Sequence, residues 1–194
     1  TIQFVNYDGT VLQSSNVAFG EIPQYTGVTP VKLATAEYTY TFSGWNPTIE
    51  AVTEDKTYTA TYSAVKKKYE IIFQNEDGTV LQRSNVSYGE TPIYNGATPT
   101  KPADAEFTYT FVGWTPTVSP VTGSQTYTAT FNAVKKQYEI IFQNEDGTEL
   151  QRSNVTYGET PKYNGATPTK PADAEFTYTF AGWTPTISPV TGAQ

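Results

Sequence analysis

Paired carboxylates are the residues of this 194-residue chain whose types and spacing come closest to chemistry. Glu76-Asp77 and Glu145-Asp146 are adjacent acids, and two carboxyls can divide into acid and base where a cleft raises one pKa. Both pairs lie in the string "NEDGT", where acids are ordinary solvated turn residues; the matching Asn6-Tyr7-Asp8-Gly9 lacks the first acid. Histidine and cysteine are absent, which removes the commonest nucleophile–base pairs. Asn75, Glu76 and Asp77 could offer oxygens to Ca²⁺, but the alternating ligands and distant bidentate glutamate of an EF-hand loop are missing. A Lys–Asn isopeptide cross-link would need a buried lysine. Lys101 and Lys170 stand between Thr and Pro, and Lys32 stands in "PVKLA"; all three are expected in solvent. The sequence therefore reads as non-enzymatic, with no catalytic residue, cofactor or metal.

Binding is the remaining chemistry. Tyr94 and Tyr163 are expected to be exposed, and aromatic rings enrich binding surfaces. Thr108 and Thr110 alternate with aromatics and should share one outward strand face. These four residues are the candidate contacts for a host or microbial surface protein or a glycan. Against them, threonine ladders on a solvated sheet face are common stabilising pairs, and Ile93 is replaced by Lys162 beside the matching tyrosine. A net charge of −7 offers no basic face for phosphates, so nucleic acid is excluded as a partner. No apolar run reaches membrane-spanning length and no signal peptide opens the chain.

The elements that hold these residues recur. Trp45, Trp114 and Trp183 are spaced by 69 positions, as are Gly9, Gly78 and Gly147. Residues 69–125 and 138–194 agree at 51 of 57 positions, differing only at Val80/Glu149, Ser87/Thr156, Ile93/Lys162, Val112/Ala181, Val118/Ile187 and Ser124/Ala193. In the second copy, Tyr69–Gln74 reads as a strand with Tyr69, Ile71 and Phe73 on one face. Asp77-Gly78 makes a hairpin, and a strand over about 80–88 follows. Pro92, Asn95-Gly96, Pro99 and Pro102 then forbid a long helix, although Pro102 could open a short helical turn. "FTYTFVGW" is the clearest strand; its alternation would put Trp114 on the threonine side unless Gly113 bends the chain, and the bend is the expected outcome. "TYTATF" closes the copy with Tyr127, Ala129 and Phe131 inward. The linkers "SAVKKKYE" and "NAVKKQYE" lack Gly and Pro, which predicts short, fairly stiff joints with a solvated lysine collar at 66–68 and 135–136.

These readings predict a mainly β chain, α+β at most. Its modules would be small, each a mixed sheet of 4–5 strands with at most a short helix, in an elongated array of monomeric beads. The frame is 1–68, 69–137 and 138–194, the last without its final strand; 57–125 and 126–194 is the alternative frame. Each bead, stabilised by aromatic burial in place of disulfides, would extend about 30 Å or slightly more, as strands of about eight to ten residues require. The order of the strings "DGT", "YGE", the proline-rich crossing, "YTFxGW" and "TYTATF" resembles the Listeria–Bacteroides repeat, the class that includes the internalin B-repeat. Asp77, Gly78, Tyr88, Gly89, Gly113 and Trp114 and their equivalents carry that resemblance. It implies compact β-grasp-like modules in tandem on secreted or wall-anchored proteins of Gram-positive type, acting as spacers or adhesion-associated units; the repeat itself suggests an excerpt of a longer array. On this reading the chain is the stalk of an extracellular adhesin; the alternative is a multivalent protein- or glycan-binding module.

Overall fold

The computed structural model describes residues Thr1–Gln194. Ten strands form and no helix does: β1 (Ile2–Val5), β2 (Val11–Ser15), β3 (Tyr38–Asn46), β4 (Lys56–Lys66), β5 (Lys68–Gln74), β6 (Val80–Ser87), β7 (Phe107–Thr115), β8 (Gln125–Lys135), β9 (Gln137–Gln143) and β10 (Glu149–Thr156). No helix is long and apolar enough to cross a membrane. Two four-stranded sheets run in the orders β2-β1-β4-β3 and β6-β5-β8-β7, and β9 and β10 make a two-stranded sheet. The chain packs as two compact units, Thr1–Gly96 with Trp114–Thr128 and Ala97–Gly113 with Ala129–Gln194.

Both larger sheets are mixed. Strand β1 is antiparallel to β2 and parallel to β4, with Phe4 opposite Tyr58. Strand β5 repeats this between β6 and β8, with Phe73 opposite Tyr127. The hairpins follow from turn chemistry. Gly78 takes φ 86°, its amide donates to the Asn75 carbonyl at 2.9 Å, and the Thr79 amide donates to Asp77 Oδ1 at 2.9 Å. The register slips between Phe73 and Gln74 to accommodate the turn.

Alternation of Thr with aromatic residues sorts the sheet faces. Ile71, Phe73, Tyr127 and Ala129 are buried, whereas Thr108 and Thr110 are exposed. The expected bend is present. Pairing of β3 with β4 slips between Phe42 and Gly44, and Gly44 and Gly113 adopt φ 137° and 150°, a region that disfavours any Cβ-bearing residue. The bend returns Trp45 and Trp114 to the inward face. Trp114 meets Phe73 edge-on at 4.8 Å between ring centroids, and Trp45 meets Phe4 at 4.7 Å. Each cluster is closed by a stacked tyrosine, Tyr127 on Phe73 at 5.2 Å and Tyr58 on Phe4 at 5.3 Å. Such ring pairs contribute roughly 0.5–1.5 kcal/mol beyond the area they bury.

Tyr94 and Tyr163 depart from expectation: they are half-buried core residues, not exposed rings. Tyr94 lies 5.5 Å from Phe73 and 4.9 Å from Trp114, and Tyr163 repeats this against Phe142 and Trp183 at 5.4 and 4.9 Å. Glycine two positions on is the reason, since a Cβ at Gly96 or Gly165 would collide with the tyrosine phenol. The ring folds back over that glycine, and the Tyr163 hydroxyl donates to the Ala166 carbonyl at 2.9 Å. The short helical turn at Pro102 is also absent. There Asp104 Oδ1 accepts the Glu106 and Phe107 amides at 2.8 and 2.6 Å, closing a turn through its side chain instead.

The third copy keeps a core of Ile140, Phe142 and Val190 with Trp183 and Tyr163 against it. Residues 176–184, which match β7, form no strand. In the second copy, β7 is hydrogen-bonded to β8 alone.

Replacing Trp114 with Ala should cost about 3–5 kcal/mol, as for other large aromatic truncations. Gly113→Ala meets no atom within 4 Å, so its cost should be backbone strain alone, about 1–3 kcal/mol. Urea unfolding followed by tryptophan emission measures both. A smaller loss for Trp114→Ala than for Gly113→Ala would contradict the packing described.

Candidate functional site

The acids named from the sequence are committed to turns. Asp77 and Asp146 accept the Thr79 and Thr148 amides at 2.9 Å each, and those bonds hold both carboxyls below the ordinary range. A general acid needs the opposite shift. Glu145 pairs with Lys170 at 2.8 Å in solvent. No group of three or more acidic side chains stands close enough to hold a metal ion.

Lys170 is exposed, as expected, whereas Lys32 and Lys101 are not fully so. Lys32, Lys101 and Lys170 lie over the rings of Tyr40, Tyr109 and Tyr178 at 4.1, 4.3 and 4.3 Å from the centroids. Lys32 and Lys101 are half-buried by this contact. Their equivalence survives the dissimilar strings around them because each ammonium lies over a tyrosine ring, which attracts it. Thr108 and Thr110 are exposed on β7, as their alternation requires, and the Thr108 hydroxyl donates to the Val134 carbonyl at 3.4 Å. Tyr94 and Tyr163 stand apart from them within the aromatic clusters.

The junction between copies is a second recurring arrangement, with three directional bonds each time. One residue, Lys67, separates β4 from β5, and one residue, Lys136, separates β8 from β9. In the first unit the Lys67 amide donates to the Glu37 carbonyl at 2.8 Å, and the Lys67 carbonyl accepts the Tyr88 amide at 2.9 Å. Its neighbour Tyr69 reaches back, its hydroxyl donating to the Ala36 carbonyl at 2.5 Å. The second unit repeats every bond. The Lys136 amide donates to Glu106 O at 2.8 Å, Lys136 O accepts the Tyr157 amide at 2.9 Å, and the Tyr138 hydroxyl donates to Ala105 O at 2.6 Å. Exposed ion pairs flank both junctions, Lys66 with Glu37 at 3.8 Å and Lys135 with Glu106 at 3.3 Å; solvated pairs of this kind contribute little. The joining residue thus donates to the turn before β3 or β7 and accepts from the end of β6 or β10.

The receiving turns differ in chemistry. In the first copy Thr35 caps the turn, its hydroxyl accepting the Tyr38 amide at 3.0 Å. In the second, Asp104 does so, and it also accepts from the Tyr109 hydroxyl at 2.6 Å while its carbonyl accepts from Lys136 Nζ. The Tyr109 hydrogen bond, then the Phe107 amide and the Lys136 charge, hold Asp104 below the ordinary aspartate range. Asp173 is lowered in the same way, first by Tyr178. The sequence carried one signal of this junction, the Lys-Lys-x-Tyr string in both linkers. Read alone, it suggests a solvated collar, because the carbonyls it meets lie about 30 residues earlier.

No protein-family model matches the chain, and no curated protein matches it. Among solved structures, Streptococcal High Identity Repeats in Tandem (SHIRT) domains 3-4 from a cell surface protein are similar at 16% identity, covering 70% of this chain and 98% of that one, with a TM-score of 0.34.

Because Asp104 is lowered in the folded chain, its contribution to the turn is present above the ordinary aspartate range and is lost as the pH falls through the lowered value. The Glu106 and Phe107 amides should lose protection from exchange on that acid limb. The Tyr38 amide, bound to a hydroxyl, should not respond at the same pH. Amide exchange by NMR from neutral to acid pH, repeated with Asp104→Asn, checks this. The variant should leave the two amides without the acid transition, and an unchanged transition would contradict the assignment.

Proposed function

We propose that the chain is a non-catalytic spacer, the stalk region of a secreted or wall-anchored bacterial surface protein of adhesin type. The observation that carries this reading is the junction. A single joining residue is hydrogen-bonded on both sides, a tyrosine hydroxyl adds a third bond, and the set recurs 69 positions later. A tether meant to let domains wander would be a Gly/Ser coil with no such bonds. The same bonds would carry orientation from one module to the next.

The module frame proposed is 1–68, 69–137 and 138–194. It is supported by the three hydrophobic clusters, whose members fall within 2–58, 69–127 and 138–190 respectively. The alternative frame of 57–125 and 126–194 would separate Phe4 from Tyr58, which stack in one core. The string resemblance to the Listeria–Bacteroides repeat and internalin B-repeat is part of this proposal, as is the surface location.

A second reading, repeated binding of a surface protein or glycan, draws on the outward face of β7, where Thr108 and Thr110 are exposed beside Val112 at 63% exposure. Tyr94 and Tyr163 would contribute only the rims of half-buried rings. Repeated weak sites would gain strength by multivalency.

Small-angle scattering of the chain and of Tyr69→Phe/Tyr138→Phe tests the spacer reading. The chain is expected to scatter as an elongated, inflexible particle. The double variant loses two hydrogen bonds of about 0.5–1.5 kcal/mol each and should show a flexible profile with a smaller mean dimension. A compact particle, or saturable glycan or protein binding lost with Thr108→Ala/Thr110→Ala, would overturn the ranking.

A further inference from the structure

Five steps in the chain set a carboxyl or carboxamide side chain directly before a glycine: Asp8-Gly9, Asp77-Gly78, Asp146-Gly147, Asn95-Gly96 and Asn164-Gly165. Each holds the parts of one intramolecular reaction. The glycine amide nitrogen is within one residue of the side-chain γ-carbon and can close a five-membered imide on it. Glycine has no Cβ to obstruct the approach and the freest backbone to make it. The fold decides which of the five are open to this chemistry.

The three hairpin steps are held back. The Gly9, Gly78 and Gly147 amides donate to the Asn6, Asn75 and Asn144 carbonyls at 2.9 Å each. The side chains before them are carboxylates, which accept the Thr10, Thr79 and Thr148 amides at 3.0, 2.9 and 2.9 Å and offer no ready leaving group. The two Asn-Gly steps are the reverse. Both residues of each are exposed and lie outside every strand. The Gly96 and Gly165 amides donate no hydrogen bond, and none ties the Asn95 or Asn164 carboxamide. By contrast, the Asn6 and Asn144 carboxamides donate to the Val31 and Thr169 carbonyls at 3.1 and 3.3 Å. A carboxamide releases ammonia, which is one reason asparagine is thermolabile.

We propose that Asn95-Gly96 and Asn164-Gly165 are self-modification sites, at which the second and third copies convert asparagine to aspartate and isoaspartate. The glycine nitrogen bonds to the asparagine Cγ as the Cγ–Nδ2 bond breaks, and the Nδ2 group leaves as ammonia with the amide proton. Water then opens the imide at either carbonyl; no oxidant, metal or enzyme is required. The consequence is set by what the loop holds. The Asn95 amide donates to Gln82 Oε1 and Gln82 Nε2 donates to the Ile93 carbonyl, both at 2.8 Å, so a glutamine side chain stands in for a strand neighbour. Beside that clamp, Tyr94 folds over Gly96 to reach Phe73 and Trp114. Isoaspartate routes the main chain through its side-chain carbon, lengthens it between clamp and glycine, and moves Gly96 from under the phenol. Gln151, Asn164, Tyr163 and Gly165 repeat the arrangement. The first copy has the same clamp, with the Thr26 amide donating to Gln13 Oε1 at 2.8 Å, but threonine has no carboxamide. Ageing therefore loosens the cores of the second and third copies and spares the first.

The test holds the full chain warm in mildly alkaline buffer and samples it over time. Peptide mapping by mass spectrometry, with electron-based fragmentation to separate aspartate from isoaspartate, follows the chemistry; NMR of the tyrosine rings follows the packing. Deamidation at 95 and 164 should run at least about tenfold faster than at any other asparagine, the rate effect of a barrier lower by about 1.4 kcal/mol. Asp8, Asp77 and Asp146 should isomerise no faster than those slower asparagines deamidate. In the aged chain the Tyr94 and Tyr163 rings should move toward solvent-exposed shifts while Tyr25 keeps its own. The double variant Asn95→Thr/Asn164→Thr, with the residue type that the first copy carries in the same loop, should fold and show neither change. Deamidation spread evenly over the asparagines, isomerisation at Asp77 or Asp146 as fast as at Asn95, or unmoved Tyr94 and Tyr163 rings in the aged chain would each overturn the assignment.

Discussion

A tryptophan edge against a phenylalanine face closes each core, and the rest of the structure depends on it. Trp45 on Phe4, Trp114 on Phe73 and Trp183 on Phe142 lie at 4.7–4.8 Å between centroids. That contact goes with the bend at Gly44, Gly113 or Gly182, whose φ values are 137°, 150° and 142°; strict alternation in β3 and β7 would turn the indole toward solvent. The closing tyrosine of the crossing segment packs on the same pair of rings. The segment between β6 and β7, with no helix of its own, is thereby anchored to the sheet through Tyr94. Segments of about 70 residues bury little area and are marginal alone, and here ring pairs take the place that disulfides hold elsewhere.

The same economy shapes the junctions. With β4 running to Lys66 and β5 starting at Lys68, one residue cannot act as a flexible tether. Its backbone groups are bonded on both sides, and the tyrosine two positions on ties the next strand to the preceding turn. The turn must therefore present its carbonyls outward, which Thr35 and Asp104 achieve by capping it from within. Core and junction share this dependency, since the turn leads directly into the strand that ends at the tryptophan.

Local pattern made much of the fold legible. Period-two alternation located Tyr69–Gln74 and "FTYTFVGW", Asp-Gly located the hairpins, and Gly113 before Trp114 announced the bend. What stayed hidden was set by contacts distant in sequence or by side chains folding on themselves. Nothing near Tyr94 states that Gly96 leaves room for its phenol, so Asn95-Gly96 read only as a helix breaker and the tyrosine as exposed. Lys101 in a polar string gave no hint of the Tyr109 ring beneath it. Asp104 turned the chain with its carboxylate, where Pro102 had suggested a helical start.

The proposal at the centre of this account is that junction hydrogen bonds hold adjacent modules in one orientation. The chain has no cysteine, so Thr53→Cys and Thr122→Cys, both at exposed equivalent positions, would place two unique spin labels on neighbouring copies. Pulsed dipolar spectroscopy then reads the distribution of distances between them. The account predicts one narrow distribution that broadens when Tyr69 is changed to Phe. A broad distribution in the unaltered junction, or a narrow one indifferent to Tyr69→Phe, would contradict it.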